Sequence, residues 1–360
     1  MLNLDLRQER RNQLLKGEAR RTTAGEDIVA PLFSHPSDFL ASRGADAPAF
    51  HLGLLLVPGF ALMSFASVIE PARSANRMSG KALYDWTLFS AQGGEVLSNS
   101  GIGLQTHSLA GMRLDTVDML IVCASSQGEL YRDLETEAML RRLRRHGVAV
   151  GAVSTGSFLL ARAGLLKERR CTVHWDYLDS FQESFPDYRL CDDLFVIDDG
   201  VVTCAGATAA LDLMLQMIRA HQGVDLARSI AQQFLHGAIR TSADDQRDMR
   251  HRLGIANPVV LQAVSLMEAT LEEPVPPHSL AASVGVSQRQ LERLCKRYLG
   301  CTPARYHMRL RLERARRMLR QTSLSIAEVA VACGFVALSH FAKAYRNQFG
   351  CRPRDDRRTQ

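Results

Sequence analysis

Residues 325–353 read SIAEVAVACGFVALSHFAKAYRNQFGCRP, and their punctuation spells a helix, a tight turn and a second helix. Ser325 and Glu328 stand in the S-x-x-E spacing of a capping box, which satisfies the orphan amides at a helix start. Gly334 can supply the left-handed backbone that ends the first helix. In the second, Leu338, Phe341, Ala344, Tyr345 and Phe349 form an apolar stripe near i, i+3, i+7 spacing. A short helix, a glycine turn and a second helix with a polar outer face make a helix-turn-helix.

The pattern occurs twice. Gly300-Cys301-Thr302-Pro303 and Gly350-Cys351-Arg352-Pro353 share G-C-x-P fifty residues apart. Leu280-Ala281 precedes Gly285 as Val329-Ala330 precedes Gly334, and an internal repeat of this length signals two copies of one structural unit. In the first copy Pro276-Pro277 precede SLAASV. Ser287 and Gln290 then cap QRQLERLCKRYL, with Leu291, Leu294, Cys295 and Leu299 inward. Between the copies runs PARYHMRLRLERARRMLRQ, with Pro303 suited to a first helical position. Its stripe of Met308, Leu312, Ala315 and Leu319 leaves Arg305, Arg309, Arg316, Arg317 and Arg320 outside, as in a rigid strut.

Charge follows this division. Residues 1–250 hold 26 Lys and Arg against 30 Asp and Glu, a balance of −4; residues 251–360 hold 18 against 8, a balance of +10. A basic region confined to the repeat is the electrostatic footprint of nucleic-acid binding. Two such units can enter successive major grooves if their second helices lie about one DNA turn, roughly 34 Å, apart. The outward positions are Gln288, Arg289, Glu292, Arg293 and Lys296 on the first recognition helix and Ser339, His340, Lys343 and Arg346 on the second. Arg can read guanine and Glu can accept from cytosine; Lys296 and Arg346, further along, suit phosphates.

From about 258 to 353 the chain resembles the AraC/XylS family of transcriptional regulators, through LAASVGVSQRQLERL, RLRLERARRML and IAEVAVACGFVALSHFAKAYRNQFGCRP. The resemblance implies that both motifs bind duplex promoter DNA. It also implies a homodimer working with RNA polymerase, more usually as an activator. One departure is Cys295, where Phe is usual; it alters packing only.

In the amino-terminal two-thirds, short apolar runs alternate with helical patterns. HLGLLLV (51–57), YDWTLFSA (84–91), DMLIVCA (118–124) and VAVGAV (148–153) read as strands. Helices are expected over about 61–77, 132–146, 157–165, 207–221 and 225–236. DLFVID and VVTCA flank Asp199-Gly200, a hairpin signal. Near-continuous apolar strands alternating with helices indicate a mainly parallel α/β sheet, whose ligands bind beyond the carboxyl ends of the strands.

The sharpest local feature is GAVSTGSFLLARAGLL, where Ser154 sits on a strand-to-helix turn like a nucleophile elbow. Pairing Ser154 with His174, twenty residues on, would give acyl transfer, though no acid to orient the histidine can be named. Alternatively Ser154 caps the helix, or the turn with Thr155 holds an anion such as a carboxylate. The rival reading of the whole chain is an amidase or peptidase using Ser154, with a DNA-tethering tail.

Residues 50–236 look like the PfpI-like, class I glutamine-amidotransferase-like domain, through VPGFALMSFASVIEPARSAN, VSTGSFLLARAGLL and CTVHW. Joined to the carboxyl-terminal part, the chain is similar to the GlxA group of AraC-type regulators. In that fold the elbow residue is normally Cys, and an acid normally approaches it where Ser64 stands here. The resemblance therefore implies a sensor without the thiolate reaction, with no catalytic residue, cofactor or metal. EP-x-R-x-A-N (Glu70, Arg73, Asn76) and L-Y-x-W (Leu83, Tyr84, Trp86) lean toward regulators that sense quaternary amines or amino acids, such as glycine betaine, carnitine or arginine. Phe60, Trp86, Trp175 and Tyr177 could offer aromatic faces to a cation. Ser154, Thr155, His174, Trp175, Phe60, Ser64 and Trp86 are thus the expected ligand residues.

The expected fold class is an α/β domain with a mainly parallel sheet in flavodoxin-like layers, then an all-α domain with two helix-turn-helix motifs. The expected boundaries are a disordered extension at 1–48, the α/β domain at 49–236, a linker at 237–257 and the DNA-binding domain at 258–356. Composition agrees with a folded two-domain chain: 360 residues, 46% hydrophobic, 23% charged. Eight cysteines without a C-x-x-C exclude a zinc ribbon and a disulfide scaffold. The uncharged run Leu52–Ile69 is split by Pro58-Gly59, which favours a buried strand turning into a helix over a membrane span. Arg7, Arg10, Arg11, Arg20 and Arg21 without an apolar core are not a secretory signal, so a cytoplasmic location is expected.

Overall fold

The computed structural model describes residues 47–126, 128–247 and 249–357. The disordered extension expected at 1–48 falls, but for its last two residues, outside them. The chain divides into an α/β unit ending at Gln246 and a helical unit beginning at Arg247.

The α/β unit runs β1 (Phe50–Leu56), α1 (Leu62–Ser79), β2 (Tyr84–Ser90), β3 (Gly94–Leu97), β4 (Gly103–Ser108), β5 (Met119–Cys123) and α2 (Leu134–Arg145). It continues with β6 (Ala149–Val153), α3 (Ser157–Arg162), β7 (Arg170–Thr172), α4 (Leu178–Ser184), β8 (Arg189–Cys191), β9 (Phe195–Asp198), β10 (Val201–Cys204), α5 (Thr208–Gln222) and α6 (Val224–Gln233). Eight strands form one sheet in the order β3-β4-β2-β1-β5-β6-β10-β9. All neighbours from β4 to β10 are parallel, and β3 and β9 close the edges antiparallel.

Because the central strands are covered on both faces, they carry apolar residues at successive positions rather than alternate ones. Leu52, Leu54 and Leu56 face a core with Ala72, Leu213 and Met217 from α1 and α5. Leu55, Leu120 and Val150 face a second core with Leu140, Leu143 and Leu159 from α2 and α3. The uncharged run Leu52–Ile69 is a strand, a Pro58-Gly59 turn and the start of α1. Among the described residues no helix is long and apolar enough to cross a membrane. Asp199 and Gly200, with φ of 45° and 68°, make the two-residue turn between β9 and β10. The β3–β4 hairpin and the separate β7–β8 pair were not anticipated; their strands are three to six residues long, and apart from β7 they are mostly half-exposed or exposed.

The structure corrects the linker. Residues 237–246, expected to be part of the linker, are fastened to the α/β unit. Asp212 on α5 is fully buried, and a buried carboxylate must be paired. His236 Nε2 lies 2.7 Å from it, the Arg240 amide donates to it at 2.8 Å and the Arg240 guanidinium pairs at 2.6 Å. Further along, Leu194 N donates to the Ser242 carbonyl, and Gln246 Nε2 donates to the Val173 and Asp193 carbonyls at 2.9 and 3.0 Å. The tether is ionic and hydrogen-bonded, so it leaves no apolar periodicity in the sequence.

In the helical unit, α7 (Met249–Leu253) and α8 (Pro258–Ala269) precede the first motif, α9 (Pro277–Ser283) and α10 (Gln288–Leu299). The strut α11 (Pro303–Gln321) leads to the second motif, α12 (Ile326–Ala332) and α13 (Leu338–Phe349), and to α14 (Pro353–Arg357). The end of the expected linker thus belongs here too, since Ile255 is buried in the first helical core.

Replacing Asp212 with Ala removes the partner shared by His236, the Arg240 amide and the Arg240 guanidinium. It is expected to destabilise the α/β unit by about 3 kcal/mol and to expose residues 237–246 to protease. Denaturant unfolding and limited proteolysis check this; an unchanged cleavage pattern would show that the tether does not depend on Asp212.

Candidate nucleic-acid interface and effector pocket

The two motifs form around separate cores joined by α11. Tyr306 and Leu310, from its first half, pack with Leu280, Leu291 and Cys295. Leu312, Ala315, Met318 and Leu319, from its second half, pack with Val329, Phe341 and Tyr345. One helix therefore serves as a wall of both bundles.

Each recognition helix is set by its own signals. Ser287 Oγ accepts from the Gln290 amide at 3.3 Å. In the second motif both halves of the Ser325–Glu328 capping box are formed, at 2.7 and 3.2 Å. Gly285 and Gly334 turn the chain with φ of 71° and 75°. A Cβ at Gly334 would lie 2.7 Å from the Leu271 and Glu272 carbonyls, so only glycine fits there.

The burial patterns of 291–300 and 341–350 coincide residue for residue: Leu291 and Cys295 are buried where Phe341 and Tyr345 are. Outward, Gln288, Arg289, Arg293 and Lys296 are exposed and Glu292 is half-exposed; Ser339, His340, Lys343 and Arg346 are exposed. Gln288 Nε2 donates to Glu292 Oε1 at 3.1 Å. Leu338, expected on the inner stripe, is instead half-exposed, because it sits at the first turn of α13, ahead of the packed positions Phe341 and Tyr345.

Several strut arginines are structural. Arg316 and Arg320 pair with the buried Asp356 at 2.9 and 3.0 Å, and the Tyr345 hydroxyl donates to the same carboxylate at 2.7 Å. Burial would raise this carboxyl, but those hydrogen bonds outweigh it and hold Asp356 below the usual carboxylate range. Arg311, which the pattern did not single out, is buried; it donates to the Cys333 and Gly334 carbonyls at 2.7 and 2.6 Å and lies 4.2 Å over the Phe335 ring. Its signal in the sequence is slight: an arginine on the inner side of an amphipathic helix.

In the α/β unit, Ser154 follows β6 at the carboxyl end of the sheet with φ of 57°, an uncommon backbone state for a residue with a side chain. It is 8% exposed, and its hydroxyl has no hydrogen bond among the described residues. Gly206 presses on it: a Cβ there would lie 2.9 Å from Ser154 Cβ and 3.0 Å from Ser64 Oγ. Ser64 Oγ accepts from the Ala207 amide at 2.7 Å, and Ala207 also has a positive φ, 47°. Thr155 is fully buried and its hydroxyl donates to the Ser125 carbonyl. His174 caps the turn of 175–177, its Nδ1 accepting from the Asp176 amide at 3.3 Å. Its ring lies 5.3 Å from Trp175 and 6.4 Å from Tyr177.

The loop after β5 adds a group that sequence reading missed. Arg132 and Arg162 bond the carbonyls of Gly128, Glu129 and Tyr131 but not the Glu129 carboxylate. That carboxylate is 8% exposed and takes a 3.5 Å hydrogen bond from Ser180 Oγ. Burial, opposed by that bond and aided by repulsion from Asp176, pushes the Glu129 carboxyl up to about 7. The Tyr177 hydroxyl donates to the Ser126 carbonyl of the same loop at 3.5 Å.

Comparison with known proteins matches these parts to families. A helix-turn-helix domain model matches residues 280–359 and the DJ-1/PfpI family model matches residues 55–220. The HTH-type transcriptional regulator GbdR of Pseudomonas aeruginosa is 44% identical over 86% of this chain and 84% of its own length. GlxA of Rhizobium meliloti is 37% identical over 85% and 95%. A solved AraC family transcriptional regulator from Pseudomonas putida is 27% identical over 51% of this chain and 99% of that one, with a TM-score of 0.47.

The chain belongs to the AraC-type regulators with a DJ-1/PfpI amino-terminal domain. This AraC-type regulator binds DNA through its helix-turn-helix domain, and its named full-length relatives are transcriptional regulators rather than enzymes.

Of the expected ligand residues, the structure gathers Ser154 and Ser64 at the sheet's carboxyl end and ties Thr155 to the loop after β5. His174, Trp175 and Tyr177 form a second group, which Tyr177 and Ser126 link to that loop. Phe60 and Trp86 are not part of it. Phe60 is fully buried against Phe65 in the core and offers no face. Trp86 pairs in register with Leu52, level with Met119 and Ala149, five residues or roughly 16 Å before Ser154 along the strands. Asn76 accepts from the Leu83 and Tyr84 amides at 2.9 Å, the buried Tyr84 hydroxyl meets His221 at 2.9 Å, and Arg73 pairs with Glu70. Those motif residues secure α1 and the start of β2.

Two outcomes follow. Arg311→Ala removes the bonds to the Cys333 and Gly334 carbonyls and the contact over Phe335, and is expected to cost the helical unit about 3 kcal/mol, read by denaturant unfolding. The raised Glu129 carboxyl makes the ligand-free protein lose stability as pH climbs from about 4.5 to about 7. Glu129→Gln should flatten that part of a Tm-against-pH curve; an identical slope in the variant would assign the loss elsewhere.

Proposed function

We propose that this regulator activates catabolic genes in response to a small metabolite, a quaternary amine or an amino acid, bound beside Ser154. The α/β unit then serves as a non-catalytic sensor. The observation that carries this reading is the pairing, at the carboxyl end of one sheet, of a hydroxyl without a hydrogen bond and a buried carboxylate without a paired cation, both among the described residues. Ser154 and Glu129 are linked through their chain neighbours, because Thr155 lies against Gly128. A zwitterion complements both: its carboxylate meets the hydroxyl, its cation meets Glu129 and the aromatic faces of Trp175 and Tyr177. Ser64, Thr155 and His174 shape the pocket.

Strain at Ser154 and Ala207 supports a binding role over a structural one, since such conformations cluster at ligand clamps. The amidase alternative has little support, because Ser154 lacks a bonded base among the described residues and His174 Nδ1 is committed to a backbone amide. In this reading the protein acts in the cytoplasm as a homodimer. Gln288, Arg289, Glu292, Arg293, Ser339, His340 and Lys343 meet bases, Lys296 and Arg346 meet phosphates, and bound effector changes the productive contact with RNA polymerase. The effector acts only through a difference in affinity between the active and inactive states.

Titration calorimetry with glycine betaine, carnitine and arginine tests the pocket. One of the three is expected to bind, with Ser154→Leu abolishing the heat and Glu129→Gln weakening binding at least tenfold. A cationic ligand favours the ionised carboxylate, so affinity should rise as pH goes from about 6 to about 8. No heat from any of the three removes this effector class.

A further inference from the structure

The two recognition helices have the same burial and different chemistry. At an offset of fifty, Gln288 corresponds to Leu338, Arg289 to Ser339, Glu292 to Ala342, Arg293 to Lys343 and Lys296 to Arg346. The hydrogen-bonded Gln288–Glu292 pair of the first motif is therefore Leu338 and Ala342 in the second. The second turn is also one residue longer: three residues separate Gly334 from Leu338, against two between Gly285 and Gln288. The added residue, Val336, is fully exposed, and Leu338 is 49% exposed.

We infer that Val336, Leu338 and Ala342 read thymine methyl groups, so that the second motif selects T-containing base pairs where the first reads polar base edges. The inference rests on DNA binding by both motifs. Three observations commit the apolar patch to DNA. It runs from Val336, just ahead of α13, through Leu338 at its first position to Ala342 one turn on, the amino-terminal part of a recognition helix that reaches base edges. It is continuous with exposed Ser339, Lys343 and Arg346, which supply the polar and basic surround of a groove contact. Within the major groove the thymine C5-methyl is the only apolar group a base presents. An exposed valine and leucine at the start of a helix whose outer face carries Ser339, Lys343 and Arg346 are unexplained by packing. Gln at 288 can pair with adenine and Glu at 292 can accept from cytosine, so the two half-sites should differ in composition.

Binding-site selection from a random duplex library with the full chain gives the operator and its two unequal halves. Replacing each enriched thymine of the second half with deoxyuridine removes only the methyl. Wild type is expected to lose about fourfold in affinity per contacted methyl, and Leu338→Ala should lose nothing further from the same replacement. Leu338→Gln should shift the selected base at that position from thymine towards adenine. Because Leu338 is exposed, both variants are expected to keep the wild-type circular dichroism spectrum and melting temperature. The inference is overturned if no deoxyuridine replacement weakens binding. It is equally overturned if Leu338 variants select the same sites as wild type but lose transcription, which would give the patch to RNA polymerase. If the full chain selects no sequence at all, the failure lies in the DNA-binding reading beneath it.

Discussion

The constraint on which the DNA-binding half depends is that α11 belongs to two hydrophobic cores at once. Tyr306 and Leu310 are needed to complete the first bundle, and Leu312, Ala315 and Leu319 to complete the second. Neither bundle is large enough to stand easily alone, since small domains bury too little apolar surface. Sharing a wall therefore does two things. It supplies the missing core to each motif, and it fixes the separation of the recognition helices, because a helix of 19 residues is a stiff rod of about 28 Å. Arg311 and Arg314 reinforce the second junction by bonding the carbonyls of 332–334, the turn on which the orientation of α13 hangs. A side chain charged on one end and apolar along its stem is suited to this, because it can pass through a core boundary and still satisfy buried carbonyls.

The α/β unit applies the opposite economy. Its parallel sheet is ordinary in its packing, and the unusual backbone is concentrated where the strands end. Ser154 and Ala207 hold positive φ values side by side, with Gly206 pressed between Ser154 and Ser64. Any side chain at 206 would push these apart, so the close approach of β6 and β10 ends is what shapes the site.

Much of this was legible in the residues. The repeated G-C-x-P, the capping box and the glycine turns define both motifs, since each of those signals acts within a few residues. The strands of the central sheet were equally readable, because burial on both faces produces unbroken apolar runs such as LGLLLV. What escaped was non-local. Asp212 meets partners 24 and 28 residues away, Arg311 bonds carbonyls more than 20 residues ahead, and Glu129 meets Ser180, 51 residues on. None of these produces a period or a motif. Trp86 misled for a related reason: an aromatic residue in a strand carries no mark of how far along the sheet it stands. Leu338 misled because helical spacing alone does not reveal where a bundle's core ends.

A hydroxyl at the elbow has one more consequence. A thiolate in that position would be the oxidisable centre of the domain, open to sulfenic and sulfinic products. Ser154 has no such ladder to climb. The neighbouring thiols at the strand ends, Cys123 and Cys204, are fully enclosed and pushed up to about 12 by burial, so they stay protonated and unreactive at neutral pH. At neutral pH the elbow and these two strand ends therefore present no thiolate for a peroxide to attack.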